Sequence, residues 1–179
     1  MSLVVRLEGS DDRATAVEVE RLAFGSDEEP AIVEVVRDLE GSFAIVAEED
    51  ERVVGHVQFS RARVGETPVV ALGPIGVRPD RQGRGIGSRL VRSGLEEAAR
   101  RGEPAVILLG DPAWYPRFGF EPALTYGLRN PFAGMGEGDF VIAEEDFMLA
   151  PLDERARSLE GLVRWHPAFG QPKRSNFRS

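Results

Sequence analysis

The segment from Val69 to Leu109 constrains the fold of this chain more than any other. An apolar run, a Gly- and Arg-rich turn, an amphipathic stretch and the unbroken apolar run AVILL follow one another without a break. Ile86, Leu90, Leu95 and Ala98 recur at helical spacing, which predicts a helix over 85–100 closed by Gly102. Glu96 and Glu97 stand four residues before Arg100 and Arg101 and support it. Ala105 to Leu109 reads as a strand buried on both faces. Two strands joined through a crossover helix must lie parallel, with a right-handed connection. Gly73 and Pro74 interrupt the first of them, as they do where a strand bulges or gives up pairing.

The turn between strand and helix, VRPDRQGRGIGSRL from Val77 to Leu90, is suited to an anion. Gly83, Gly85 and Gly87 let the backbone come close to a ligand, and the first N–H groups of the helix point outward with the positive end of its dipole. Arg78, Arg81 and Arg84 offer guanidinium groups for phosphate oxygens. The bland reading is a solvated surface turn. Among phosphate-binding loops, G-x-x-x-x-G-K-[ST] is excluded, because the only lysine is Lys173. The dinucleotide pattern G-x-G-x-x-G is met imperfectly by Gly83, Gly85 and Ser88, and Arg78 to Gln82 separate it from the strand.

The third pattern, [QR]-x-x-G-x-[GA], is met by Gln82, Gly85 and Gly87. Here the chain resembles the GNAT (Gcn5-related) N-acetyltransferases. The run LGPIGV, the loop, the helix, AVILL and GDPAWYPRFGF fall in the order of that family's core over about residues 3–125. LGPIGVRPDRQGRGIG, LGDPAWYPRFGF and the late PAFG look most like the bacterial YhbS-like group of predicted acetyltransferases. The resemblance implies a mixed α/β fold of three layers, with a central, mostly antiparallel sheet, a splayed parallel strand pair and flanking helices. It also implies acetyl-CoA as co-substrate. Gln82, Gly83, Arg84, Gly85, Ile86, Gly87 and Ser88 would hold its diphosphate, and Ile75, Gly76 and Val77 would pair with the pantetheine arm. Tyr115, in WYPRFGF, matches the tyrosine that commonly protonates the departing sulfur. A phenol with reference pKa about 10 keeps its proton at neutral pH; the competing role for Tyr115 is aromatic packing beside Trp114 and Phe118. The implied reaction is direct transfer of acetyl to a primary amine, of a small molecule or a peptide, in a ternary complex. The alternative is a noncatalytic CoA-binding or regulatory module.

This sequence departs from the commoner family pattern before the tyrosine, where Gly110, Asp111 and Pro112 form a shorter turn without the usual Asn. Asp111 either faces the ligand or caps the turn, and capping is the preferred reading. No general base stands out. A lysine-like amine needs about 4 to 5 kcal/mol to deprotonate at pH 7. His56, on a predicted strand, reads as a packed structural residue, and so does His166.

Around this core, Leu3–Leu7 reads as a strand. A helix over 12–24 presents Ala16, Val19, Leu22 and Ala23 and is capped by Ser10 or Asp11. A second helix starts at Pro30 and stops before Gly41; in the family these two helices border the acceptor site. Residues 43–47 and 52–60 form a hairpin across the acidic turn 48–51. Residues 127–139 read as a long loop, and 147–149 and 162–165 as short strands without an assigned place. One domain over 1–170 is expected, with 126–170 completing the acceptor side and 171–179 a mobile tail.

Composition excludes more than it assigns. A formal charge of −8 argues against nucleic-acid binding. The absence of cysteine removes thiolate metal sites and a cysteinyl acyl-enzyme, and no clustered ligand motif calls for a metal. With no long apolar run and no basic, apolar leader, a cytoplasmic protein without membrane contact is expected. Apolar residues late in the chain would suit pairing of two copies.

Overall fold

A computed structural model describes residues 2–137 and 140–170. These residues form ten strands and three helices in the order β1 (Leu3–Leu7), α1 (Arg13–Phe24), α2 (Glu28–Val36), β2 (Phe43–Glu49), β3 (Arg52–Val64), β4 (Thr67–Val77), α3 (Ile86–Arg100), β5 (Ala105–Leu109), β6 (Glu121–Pro122), β7 (Gly136–Glu137), β8 (Phe140–Val141), β9 (Phe147–Pro151) and β10 (Val163–Arg164). Eight of the strands form one sheet in the order β1-β2-β3-β4-β5-β9-β6, with β10 on β3. The ladders β1–β2, β2–β3, β5–β9, β6–β9 and β10–β3 are antiparallel and β4–β5 is parallel.

The chain folds into two compact units. One holds Met1–Ser60 with Leu72–Glu97; the other is built on Arg61–Ala71 and the chain from Ala98 onward. In the first unit the faces of β3 alternate, as strand geometry requires. Gly55 and Phe59 meet α3: a Cβ on Gly55 would lie 3.0 Å from Ile86 and Leu90, and a Cβ on Gly94 would overlap the Phe59 ring. His56 points the other way and meets Glu20 of α1. Helices therefore cover both faces of β3, the three-layer arrangement that the sequence implies. The hairpin between β2 and β3 turns through Asp50 and Glu51, both at positive φ (50° and 61°), as a two-residue loop between twisted strands demands.

Local details correct the sequence reading at helix starts. Neither Ser10 nor Asp11 caps α1: a 3-10 turn over Ser10–Asp12 precedes it. The Asp12 carboxylate instead accepts the Gly9 N–H at 2.7 Å and pairs with Arg6 at 2.6 Å. Helix α2 begins two residues before Pro30, which then occupies its third position, still within the first turn whose N–H groups need no intrahelical partner. It ends at Val36, short of Gly41.

In the second unit the parallel ladder is short, pairing Val70 with Val106 and Ala71 with Ile107. It ends two residues before Gly73, where the sequence breaks the strand pattern. The other edge of β5 is paired over its whole length by β9, from Ala105 opposite Pro151 to Leu109 opposite Phe147. The late segments are thus strands of the main sheet: β9 beside β5, and β10 beside β3 through Val163 opposite Val64. Ala71, Ile107, Phe147, Leu149 and Ala123 share the core of this unit. Part of the expected loop over 127–139 is ordered. Gly136 and Glu137 pair with Val141 and Phe140, and the Asn130 side chain bonds the Ala143 carbonyl at 2.7 Å and the Phe132 N–H at 3.0 Å. The tail over 171–179 lies outside the described residues.

Candidate active site

The Gly-rich loop leaves β4 under restraint. Arg78 N–H bonds the Val54 carbonyl at 2.9 Å, a 3-10 turn over Pro79–Arg81 follows, and Gln82 Nε2 reaches back to the Val77 carbonyl at 3.0 Å. The Gln82 side chain thus ties the loop to the end of the strand. Gly83 and Gly85 have φ of 74° and 76°, the left-handed region that side chains other than glycine enter at a cost. A Cβ on either would meet no atom within 4 Å, so backbone conformation, not crowding, requires glycine there, and the space before them is open. Arg89 N–H bonds the Gly85 carbonyl at 3.2 Å to begin the helical ladder. The N–H groups of Ile86, Gly87 and Ser88 precede it, at the positions a helix leaves without an intrahelical acceptor and where an anion is favoured. Ile86 and Leu90, 3% and 0% exposed, anchor this terminus.

The arginines divide. Arg81 pairs with Glu49 at 2.6 Å and Asp80 at 2.8 Å, and Arg78 faces Asp80 at 3.3 Å. Both are engaged with carboxylates, which leaves Arg84, of the three arginines expected to serve phosphate, with an uncommitted guanidinium among the described residues. That residue is exposed and makes no ion pair or hydrogen bond among the described residues.

Tyr115 opens a 3-10 turn, Tyr115–Phe118, just after β5. Asp111 organises this turn. Its Oδ1 accepts the Ala113 N–H at 2.8 Å, and its carbonyl accepts Trp114 and Tyr115 N–H at 3.0 and 3.2 Å. Asp111 thus braces the turn that leads into Tyr115, while the cap position of the Tyr115–Phe118 turn itself is Trp114. The Tyr115 ring packs edge-on against Trp114 and Phe120, centroids 4.8 and 5.5 Å away, and a Cβ on Gly110 would overlap it. Burial, reinforced by the Asp111 charge, pushes the Tyr115 phenol up from its ordinary value. The side chain is a neutral O–H donor throughout the physiological range, and packing and proton donation are compatible roles.

The sequence reading missed Glu20. On α1 it stands four residues after Ala16 and one after Val19, inside the apolar stripe, and both it and His56 are fully buried. Glu20 Oε1 and His56 Nδ1 are 2.6 Å apart. A carboxylate at a position that periodicity assigns to the core was the available signal. His56, Gln58 and Ser60 alternate along one face of β3, all fully buried. Gln58 Nε2 bonds the Phe43 and Phe59 carbonyls, at 3.0 and 2.9 Å, while Gln58 Oε1 and Ser60 Oγ find no partner among the described residues. His166 accepts the Ala168 N–H on Nδ1 at 3.1 Å, a structural task. Among the described residues no group of three or more His, Cys, Asp or Glu is arranged for a metal ion, and no helix is long and apolar enough to cross a membrane.

Residues 14–120 match the profile of the acetyltransferase (GNAT) family. The Escherichia coli K12 protein described as the uncharacterized N-acetyltransferase YhbS is 33% identical over 175 residues, covering 94% of this chain and 99% of that one. The crystal structure of Escherichia coli YhbS in complex with CoA superposes with a TM-score of 0.80 at 32% identity, over 94% of this chain and 92% of that one. A GNAT family acetyltransferase from Brucella melitensis, in complex with acetyl-CoA, gives 0.73 at 30% identity, over 94% and 98%.

Proposed function

Because this chain belongs to the GNAT family of acetyltransferases, we propose that it transfers acetyl from acetyl-CoA directly to a primary amine of a small molecule or peptide. It is an acyltransferase, and acetyl-CoA is its co-substrate. The observation that carries the reading is the loop before α3: two left-handed glycines facing open space, followed by three N–H groups outside the helical ladder. Main-chain donors beside open space are what a diphosphate requires.

Acetyl-CoA supplies an activated acyl thioester. Gln82 to Ser88 hold its diphosphate, Gln82 by fixing the loop to β4 and the glycines by presenting main-chain donors. Backbone groups of Ile75, Gly76 and Val77 hold the arm, and an N–H of this stretch polarises the thioester carbonyl. Tyr115 gives its phenolic proton to the sulfur as the carbon–sulfur bond breaks. Holding donor and acceptor together supplies much of the remaining acceleration.

The test has two arms. Calorimetric titration with coenzyme A, acetyl-CoA and NAD should show binding of the first two and none of the third. Thiol release from acetyl-CoA should then rise with at least one of spermidine, lysine methyl ester, tyramine and an alanyl peptide. Failure to bind either form of coenzyme A overturns the assignment of the loop; tight binding with no amine turned over overturns amine transfer.

A further inference from the structure

Carboxylates gather at one end of strands β5 and β9. Leu109, the last residue of β5, stands opposite Phe147, the first of β9, so Asp111 leaves the sheet where Glu144, Glu145 and Asp146 enter it. The Gly110 N–H bonds the Asp146 carbonyl at 3.0 Å and closes this end. Asp111, Glu144 and Asp146 are half-buried and Glu145 is exposed, so all are within reach of a solute. Asp111 Oδ1 accepts the Ala113 N–H and Asp146 Oδ2 the Ala143 N–H, each at 2.8 Å. Their second oxygens have no partner, and these acids make no ion pair, among the described residues. The Arg117 guanidinium lies over the Trp114 ring instead, 5.8 Å from its centroid.

Tyr115 faces the same place. It is 8% exposed, and its hydroxyl makes no hydrogen bond among the described residues. A Cβ built on Gly110 would lie 2.4 Å from Tyr115 Cε2 and 2.9 Å from its Cδ2. The hydroxyl end of the ring is therefore the end laid against Gly110, which precedes Asp111 in the chain and is bonded to Asp146. A buried hydroxyl without a partner is costly unless a ligand meets it.

Resting on the reading of Tyr115 as the acid, we propose that the acceptor carries a second positive charge, an ammonium or guanidinium beyond the amine that is acetylated, and that Asp111 and Asp146 hold it. The Tyr115 proton goes to the sulfur, the sulfur is bonded to the acyl carbon, and the acceptor nitrogen must reach that carbon. Groups beside the Tyr115 hydroxyl therefore lie beside the acceptor. The two carboxylates bind and orient, and neither takes the reacting proton. Partial burial lifts Asp146 above the ordinary carboxylate range, and the charges of Glu145 and Asp111 add to the rise, as they do where acids crowd together without a counter-cation. A cation between Asp111 and Asp146 relieves that repulsion and gains charge-assisted hydrogen bonds. An acceptor whose one charge is the reacting amine leaves the repulsion in place.

The experiment uses matched acceptors: butylamine against putrescine, its diamine counterpart, and alanyl-alanine amide against alanyl-arginine amide. Within at least one pair wild type should prefer the dication by about ten- to a hundredfold in kcat/KM, the span of a hydrogen bond to a charged group. A preference in the first pair alone identifies a free diamine, and in the second alone a basic side chain of a peptide. Equal rates within both pairs overturn the proposal. Asp111→Asn and Asp146→Asn each keep an oxygen for the main-chain N–H and remove the charge. The double variant should bring the ratio close to one. Damage to the Tyr115 turn lowers both rates of a pair alike, so a ratio that survives in the double variant overturns the proposal whatever the rates themselves do. A second measurement needs no turnover. Calorimetric titration of the two dications into protein saturated with coenzyme A should show binding of at least one, weakened by about tenfold or more in the double variant. Binding of neither, or equal binding in the double variant, overturns the proposal. If wild type turns over no amine, the reading of amine transfer fails, and the titration still decides whether the acids take a dication.

Discussion

Gly94 of α3 lies so close to the ring of Phe59 on β3 that a Cβ at Gly94 would overlap it. Phe59 is fully buried and stacked on Phe43, with ring centroids 4.6 Å apart, so it has no free direction in which to yield. The helix that begins at the Gly-rich loop is therefore pressed onto the sheet through a missing side chain.

Gly94→Ala should destabilise the protein by about 1 to 3 kcal/mol, the usual range for overpacking a filled core. Better helix propensity at this position offsets at most about 1 kcal/mol of that. Urea unfolding of Gly94→Ala alone and combined with Phe59→Leu checks the cause. The smaller partner should recover part of the loss, and strict additivity would show that the two residues do not compete for space.

Gly85→Ala separates conformation from crowding. The added methyl has room, but φ of 76° costs about 1 to 2 kcal/mol for a residue with a Cβ. The expected outcome is a folded protein whose affinity for acetyl-CoA falls about tenfold or more, as that strain is relieved by moving the donors. Unchanged calorimetric affinity would mean that the loop does not hold the diphosphate.

Tyr115→Phe keeps the ring that packs on Trp114 and Phe120 and removes only the proton donor. Acetyl-CoA binding should be retained and kcat should drop by roughly ten- to a thousand-fold, with the expected loss of one general acid in that span. An unaltered turnover number would leave Tyr115 with packing as its whole role.

Glu20 links stability to pH. Its folded pKa is raised above the unfolded value by burial. The native state therefore favours the protonated form, and that contribution is complete below about pH 4.3 and lost as pH rises through the folded pKa. Glu20→Gln carries no such dependence. Its melting temperature should exceed that of wild type near pH 8, and the gap should narrow toward pH 4. A gap that widens on acidification would reverse the sign assigned to Glu20.

How much of this was legible in the chain depends on the range of the interaction. The spacing of Ile86, Leu90 and Ala98 and the glycines before them are local signals, and α3 and its loop lie where they point. The hairpin turn at Asp50 and Glu51 is equally local. Phe147–Pro151 could be read as apolar, but nothing in five residues says that their partner is Ala105–Leu109, some forty positions earlier. Glu20 escaped for another reason: a glutamate on a helix is ordinarily solvated, and its place in the apolar stripe was a weak signal beside its partner His56 on β3, which only the fold brings near. Ser10 and Asp11 have the right chemistry for a cap, yet Arg6 and Gly9 claim Asp12, and a short turn takes up the helix start.

Arg81 commits its charge to Glu49 and Asp80, so in the proposed binding mode the approach to the coenzyme would rest chiefly on peptide groups fixed in place. Dissolved ions compete well with loose, solvated cations and poorly with dipoles that cannot reorient. A grip of this kind is selective for the outline of a diphosphate more than for its charge. It should hold its ligand in concentrated electrolyte, where a fringe of arginines would have let go.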